Sequence, residues 1–271
     1  DRANIAYNPS GASALTLGAG KFGFPVTRTQ MTWDDDLNWE GAYEQVAWRA
    51  GDAVDIKLVA IQTTVNEVSL DENSQMFVAY GEIGVAAGHH TLQFSMADYG
   101  FTNVDQVAVG RAVGPLRSLL TNGVELGPDG SVIGLVSDFN LVDVIVEAEL
   151  ATGRDGYPVR LLADVVRNTR AASDRDTGMW FEAEYGGSRA AGSYTLGYTY
   201  GRIEHDAVLS PFMFSDIPGS NLQLHLLNVA YVPLPNLTLD LTLHITKSLD
   251  VDPGTNHAWQ TRPHLAAIVR F

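Results

Sequence analysis

The chain has 271 residues and a formal net charge of −15, a balance that repels a phosphate backbone and sets nucleic acid aside as a partner. Hydrophobic residues make up 45 % of it and charged ones only 18 %, which excludes a disordered acidic tail. Cysteine is absent, which suits passage through an oxidising compartment.

The chain opens Asp1-Arg-Ala-Asn-Ile-Ala-Tyr7, without the basic start and apolar middle of a signal peptide, so the expectation is a chain that is not exported or is already processed. No apolar run approaches the roughly 18–20 residues of a spanning helix. What recurs is alternation. Thirteen strands are expected, at about 2–7, 13–19, 43–50, 54–64, 74–85, 89–98, 138–150, 158–168, 177–186, 193–204, 222–232, 236–247 and 262–271. In 142–150, Val142, Val144, Val146, Ala148 and Leu150 share one face and Asp143, Glu147 and Glu149 the other. In 236–248, Leu237, Leu239, Leu241, Leu243 and Ile245 oppose Thr238, Asp240, Thr242 and His244. Segment 222–232 is the least regular: Gln223 and His225 alternate, then Leu226-Leu227 interrupts, which predicts a bulge or partial burial.

The connections carry more information than the strands. Counting back from the C-terminus, long or intermediate connections (248–261, 205–221, 169–176 intermediate, 99–137, 65–73 intermediate, 20–42) alternate with short ones (233–235, 187–192, 151–157, 86–88, 51–53, 8–12). Short turns on one rim and long loops on the other are the mark of a transmembrane antiparallel up-and-down β-barrel of the bacterial outer membrane. The chain ends Leu265-Ala-Ala-Ile-Val-Arg-Phe271, and the terminal aromatic on an alternating strand resembles the signal by which such barrels are recognised by their assembly machinery. A barrel puts the leucine face of 237–245 on lipid and the polar face on the lumen, because only a closed sheet pairs every backbone group in hydrocarbon. Trp48, Tyr185, Tyr194 and Tyr231 are expected in the interfacial girdles. The whole of 1–271 then reads as a single barrel domain, with outer-membrane lipids and the assembly machinery as partners and a homotrimer or larger membrane complex as the expected assembly.

Residues 17–41 read Leu-Gly-Ala-Gly-Lys-Phe-Gly-Phe-Pro-Val-Thr-Arg-Thr-Gln-Met-Thr-Trp-Asp-Asp-Asp-Leu-Asn-Trp-Glu-Gly. With 158–168 and 192–216, this stretch resembles a family of bacterial outer-membrane porins, the matching residues being Gly20, Lys21, Phe22, Pro25, Trp33, Asp34, Asp36, Leu37, Asn38, Glu40 and Gly41. The resemblance implies a barrel and a pore, with no catalytic residues and no assigned solute. It also implies strands before residue 1, because thirteen is odd and single-chain bacterial barrels are even. The expected complete barrel has about 16 strands, or about 14 if only one is missing, the N-terminal ones lying outside this chain.

Parity places Lys57, Asp143, Glu147, Glu149, Arg160, Asp164, Glu182, Glu184, Asp240, His244 and Arg270 on the lumen side. Carboxylates outnumber bases there, which favours cations, although the same groups could brace the wall as ion pairs. Asp34, Asp35, Asp36 and Glu40 read either as an acidic mouth or as a solvated loop held by Asx turns. The longest loop, 99–137, is either extracellular or folded inward as a constriction, with Asp98, Asp105, Arg111, Arg117 and Glu125 setting its field. Within it Val104–Gly110 and Ser131–Ser137 could pair as strands, and Gly114–Thr121 has a weak helical period. The seven histidines show no metal-ligand spacing, and no phosphate-binding glycine motif occurs, so neither a metal, a cofactor nor an enzyme is expected. The expected function is passive diffusion of small hydrophilic solutes or ions with a cation preference. The alternatives are a structural barrel with an occupied lumen, or a soluble all-β binding protein.

Overall fold

A computed structural model describes residues 2–9, 14–66, 72–111, 121–187, 190–251 and 257–270. The strands are β1 (Ala3–Tyr7), β2 (Leu15–Gly23), β3 (Asn38–Ala50), β4 (Val54–Asn66), β5 (Ser74–Ala87), β6 (His90–Thr102), β7 (Val124–Leu126), β8 (Val132–Leu135), β9 (Asn140–Leu150), β10 (Val159–Asn168), β11 (Thr177–Gly186), β12 (Tyr194–Ile203), β13 (Leu222–Leu234), β14 (Leu237–Ser248) and β15 (Gln260–Val269). All but β7 and β8 form one 13-stranded sheet in chain order, every pair antiparallel. β1 and β15 are its edge strands. Each of the thirteen expected strands is present in this up-and-down sheet.

Register explains the two faces. Val46, Leu58, Gly81, Met96, Val144, Val165 and Met179 lie side by side across β3–β6 and β9–β11. Most of the large side chains in this band are exposed, as are Leu196, Tyr198, Val229, Leu239 and Leu241 further round. So continuous an apolar surface is costly against water and suits hydrocarbon. The opposite face carries Lys57, Glu82, Ser95, Ile145, Asp164 and Trp180 in one row. In β14 the face of Leu237–Ile245 is the outward one, in register with Tyr231, Val229 and Leu227. Trp48 and Tyr231 are exposed on the outer face, and Tyr185 and Tyr194 cluster with Tyr157 close to the short 151–158 turn.

The segment after β6 differs from the strand pair expected there. Asn103 adopts φ 51, ending β6, and α1 (Asp105–Arg111) follows. Val104, Val107 and Ala108 are spaced three and four apart and are all buried, a helical stripe too short to show as a period in the sequence. β8 pairs with β7 instead, since the chain turns tightly at 127–130. There the Ser131 hydroxyl and N–H hold the Asp129 carboxyl below its usual range. The weak helical period of Gly114–Thr121 falls almost wholly outside the described residues. In β13 the register runs unbroken through Leu226-Leu227 and shifts only between Tyr231 and Leu234, at Pro233. The inward face at Leu222, Leu224 and Leu226 is apolar because interior segments pack against it.

Candidate functional site

Residues 24–37, between β2 and β3, fold against the inner face of the sheet. Three threonines hold them there. Thr27 receives the Gln93 amide (2.9 Å) and donates its hydroxyl to Glu82 at 3.0 Å and its N–H to Tyr80 at 3.2 Å. Thr29 donates to Asp164, and Thr32 to Asp143 at 3.2 Å. Lys57 closes the ion pair with Glu82 at 2.9 Å. The wall is notched to receive this segment: a Cβ at Gly178 would stand 2.8 Å from the Met31 sulfur.

Residues 205–217, between β12 and β13, form a second interior segment, stitched to the first. Asp34 N–H donates to Phe212 O at 2.8 Å and Phe214 N–H to Gln30 O at 3.1 Å. The Asp34 carboxylate accepts the N–H groups of Asp36 and Ser215, each at 2.9 Å. Trp33, fully buried, packs 5.2 Å from Trp39, 5.4 Å from Tyr99 and 5.9 Å from Phe212. Asn122 ties the end of the long 99–137 connection to this segment, donating to His205 O and Val208 O and accepting from Ser210 N–H.

Two adjoining cavities of about 550 and 540 Å³ remain between these segments and the wall, sharing Leu162, Glu182 and Glu184. Nine carboxylates and two guanidiniums, of Arg28 and Arg160, line them. Arg160 is bracketed by Glu149 at 2.8 Å and Glu184 at 2.6 Å. Glu182 accepts the Trp180 indole N–H at 2.6 Å, and Asp240 accepts from Asn228 at 2.9 Å. Arg28 projects from the first interior segment, bonded to Phe24 O and Asp35 O, while its Nε is buried without an acceptor among the described residues. His244 and His264 lie 4.5 Å apart, ring to ring, at the edge of the second cavity.

The sequence-derived residues divide between several places. Glu147, Glu149, Arg160, Glu182, Glu184, Asp240 and His244 line the cavities. Lys57 stands behind Glu82. Asp143 and Asp164 share the inner face but are 1 % and 0 % exposed, sealed beneath the interior segment as its anchors rather than open to a pore. Arg270 follows β15, exposed, its N–H bonded to Asn236 O. The four acids read as a mouth do not form one. Asp34 is buried because it holds two backbone N–H groups, Asp35 leans toward Arg28 at 3.8 Å, Asp36 is exposed, and Glu40 pairs with Lys21 at 3.2 Å. Of the residues assigned to the long connection, Asp98 lies in β6, in register with outward Ala79 and Val142, and binds Asn140 at 2.8 Å. Asp105 accepts Leu135 N–H at 2.7 Å, and Glu125 is exposed in β7. The side chain of Arg111, and Arg117 and Phe271 altogether, lie outside the described residues. Sequence reasoning missed Arg28, Asp55, Glu82 and Asp216. Glu82 was legible, two positions from Tyr80 on an alternating strand, whereas Arg28 and Asp216 sit in connections where parity says nothing. Among the described residues, no three histidines or acids are grouped to hold a metal.

No protein-family model matches the sequence, and no curated protein matches it. Among solved structures, the chain is similar to the high-pH structure of OprB from Pseudomonas putida, an outer-membrane porin. The TM-score is 0.57 at 14 % identity, over 98 % of this chain and 70 % of that one. At that identity the likeness is one of fold: an all-β, antiparallel, up-and-down sheet.

Proposed function

We propose that this chain is the wall of an outer-membrane porin through which small hydrophilic solutes and ions diffuse passively, cations ahead of anions. One observation carries the reading: adjoining cavities on the polar face of a sheet whose other face is an apolar band, walled by nine carboxylates against two guanidiniums. Such a wall lowers the energy of a cation in transit and raises that of an anion. The wall residues are Glu147, Glu149, Arg160, Glu182, Glu184, Asp240 and His244, with Lys57 neutralising Glu82. The fold shared with OprB supports the general role, and the outward apolar band supports the membrane location, with lipids, the barrel assembly machinery and further copies of the chain as partners. Diffusion needs neither a cofactor nor a catalytic step.

The test is planar-bilayer recording of the purified protein across a KCl gradient. Stepwise conductance with a cation-directed reversal potential is expected. Glu182→Gln with Glu184→Gln brings that potential toward zero, and more so at low salt, where screening is weak. An anion-directed potential overturns the charge assignment. Absence of conductance from folded, heat-modifiable protein overturns the pore and moves the weight to a barrel that serves as a scaffold.

A further inference from the structure

The second cavity has two unlike sides. On the first interior segment Arg28 projects from a loop that is itself bolted to the wall through Thr27, Thr29 and Thr32, so its guanidinium is held in place. Its Nη atoms bind the carbonyl oxygens of Phe24 and Asp35, and its buried Nε lacks an acceptor among the described residues. Its one carboxylate neighbour, Asp35 at 3.8 Å, is largely exposed, so that pair is weak and a solute carboxylate can compete for the guanidinium. Glu182 on β11 and Asp240 on β14 line the same space from the wall. Each is oriented by a neighbour, Glu182 by the Trp180 indole and Asp240 by Asn228 and Thr242, and neither has a cationic partner among the described residues. Leu162, Leu226 and Phe214 supply apolar lining to this cavity. A fixed cation, fixed anions and apolar carbon surface in about 540 Å³ match a molecule that has both charges and a small hydrocarbon body.

We infer that this cavity is a selectivity site for small zwitterions of the α-amino-acid type. The solute carboxylate faces the Arg28 guanidinium, which offers planar paired donors. Its ammonium faces Glu182 and Asp240, and its side chain lies on the leucines. The site deepens the porin reading and rests on it. A zwitterion has no net charge, so the excess of wall carboxylates that favours simple cations does not by itself draw it in. The opposed charges do, by orienting its dipole.

Proteoliposome swelling compares alanine with lactamide, which has the same mass and nearly the same shape but no charges. Alanine enters faster, by about threefold, the scale of one weak ion pair in a wet site. Arg28→Gln brings the two rates together while lactamide entry persists. Asp240→Asn reduces the ratio independently from the opposite wall, so a folding defect in one variant leaves the other to decide. Equal entry of both solutes through the unaltered protein overturns the zwitterion site and leaves the pore standing. Entry of neither, from heat-modifiable protein, removes the pore and the site with it.

Discussion

Asp34 shows how one side chain can settle the position of two segments. Its two carboxylate oxygens take different backbone donors, Asp36 N–H two positions on and Ser215 N–H 181 positions on. Asp34→Ala removes both acceptors from partly exposed N–H groups that water can then reach, and should cost about 1–2 kcal/mol in urea unfolding, the net worth of two such hydrogen bonds to a charged group. Asp34→Asn keeps one acceptor oxygen and should lose less. Close approach matters as much at Gly178, where the Met31 sulfur would lie 2.8 Å from an added Cβ. Gly178→Val should displace Met31, destabilise the fold by roughly 1–3 kcal/mol, and alter single-channel conductance, because the displaced segment carries Arg28.

At the level of elements, residues 24–37 are the interior strap, although 99–137 is the longer connection. A loop's path follows its anchors and apolar content rather than its length. Residues 24–37 contain Phe24, Val26, Met31 and Trp33, all buried, with three threonines reaching wall acceptors. The described part of 99–137 instead forms α1 and the β7–β8 hairpin, which support each other through Asp105. Replacing 26–32 by a glycine-serine run of equal length should enlarge the single-channel conductance and abolish any effect of residue 28 on solute choice. Unchanged conductance in bilayers would show that the strap does not bound the path.

For the molecule as a whole, the two faces of the sheet define the solvent on each side. Leu241 is outward and exposed, while its neighbour Thr242 faces the interior and binds Asp240. Leu241→Arg should therefore destabilise the protein in lipid vesicles by about 2–4 kcal/mol, falling toward zero nearer either rim, whereas Thr242→Arg should leave stability nearly intact and lower the cation preference. A soluble protein would show the reverse sensitivity, and equal losses at both positions would count against a lipid-facing leucine stripe.

The chain order of thirteen strands, their antiparallel pairing and the face each residue takes were legible in the sequence, because a period of two is a local property of the backbone and survives any tertiary arrangement. For the same reason Glu147, Glu149, Arg160, Glu182, Glu184 and Asp240 could be assigned to the polar face from parity alone. Tertiary structure decided which of those polar groups meet open space. Asp143 and Asp164 have the same parity as Glu147 and Glu182 but are sealed under residues 24–37, and Arg28 reaches the cavity from a connection with no periodicity. Alternation fixes the direction in which a side chain points, whereas what it meets there depends on contacts between segments more than a hundred positions apart, such as Thr29 with Asp164.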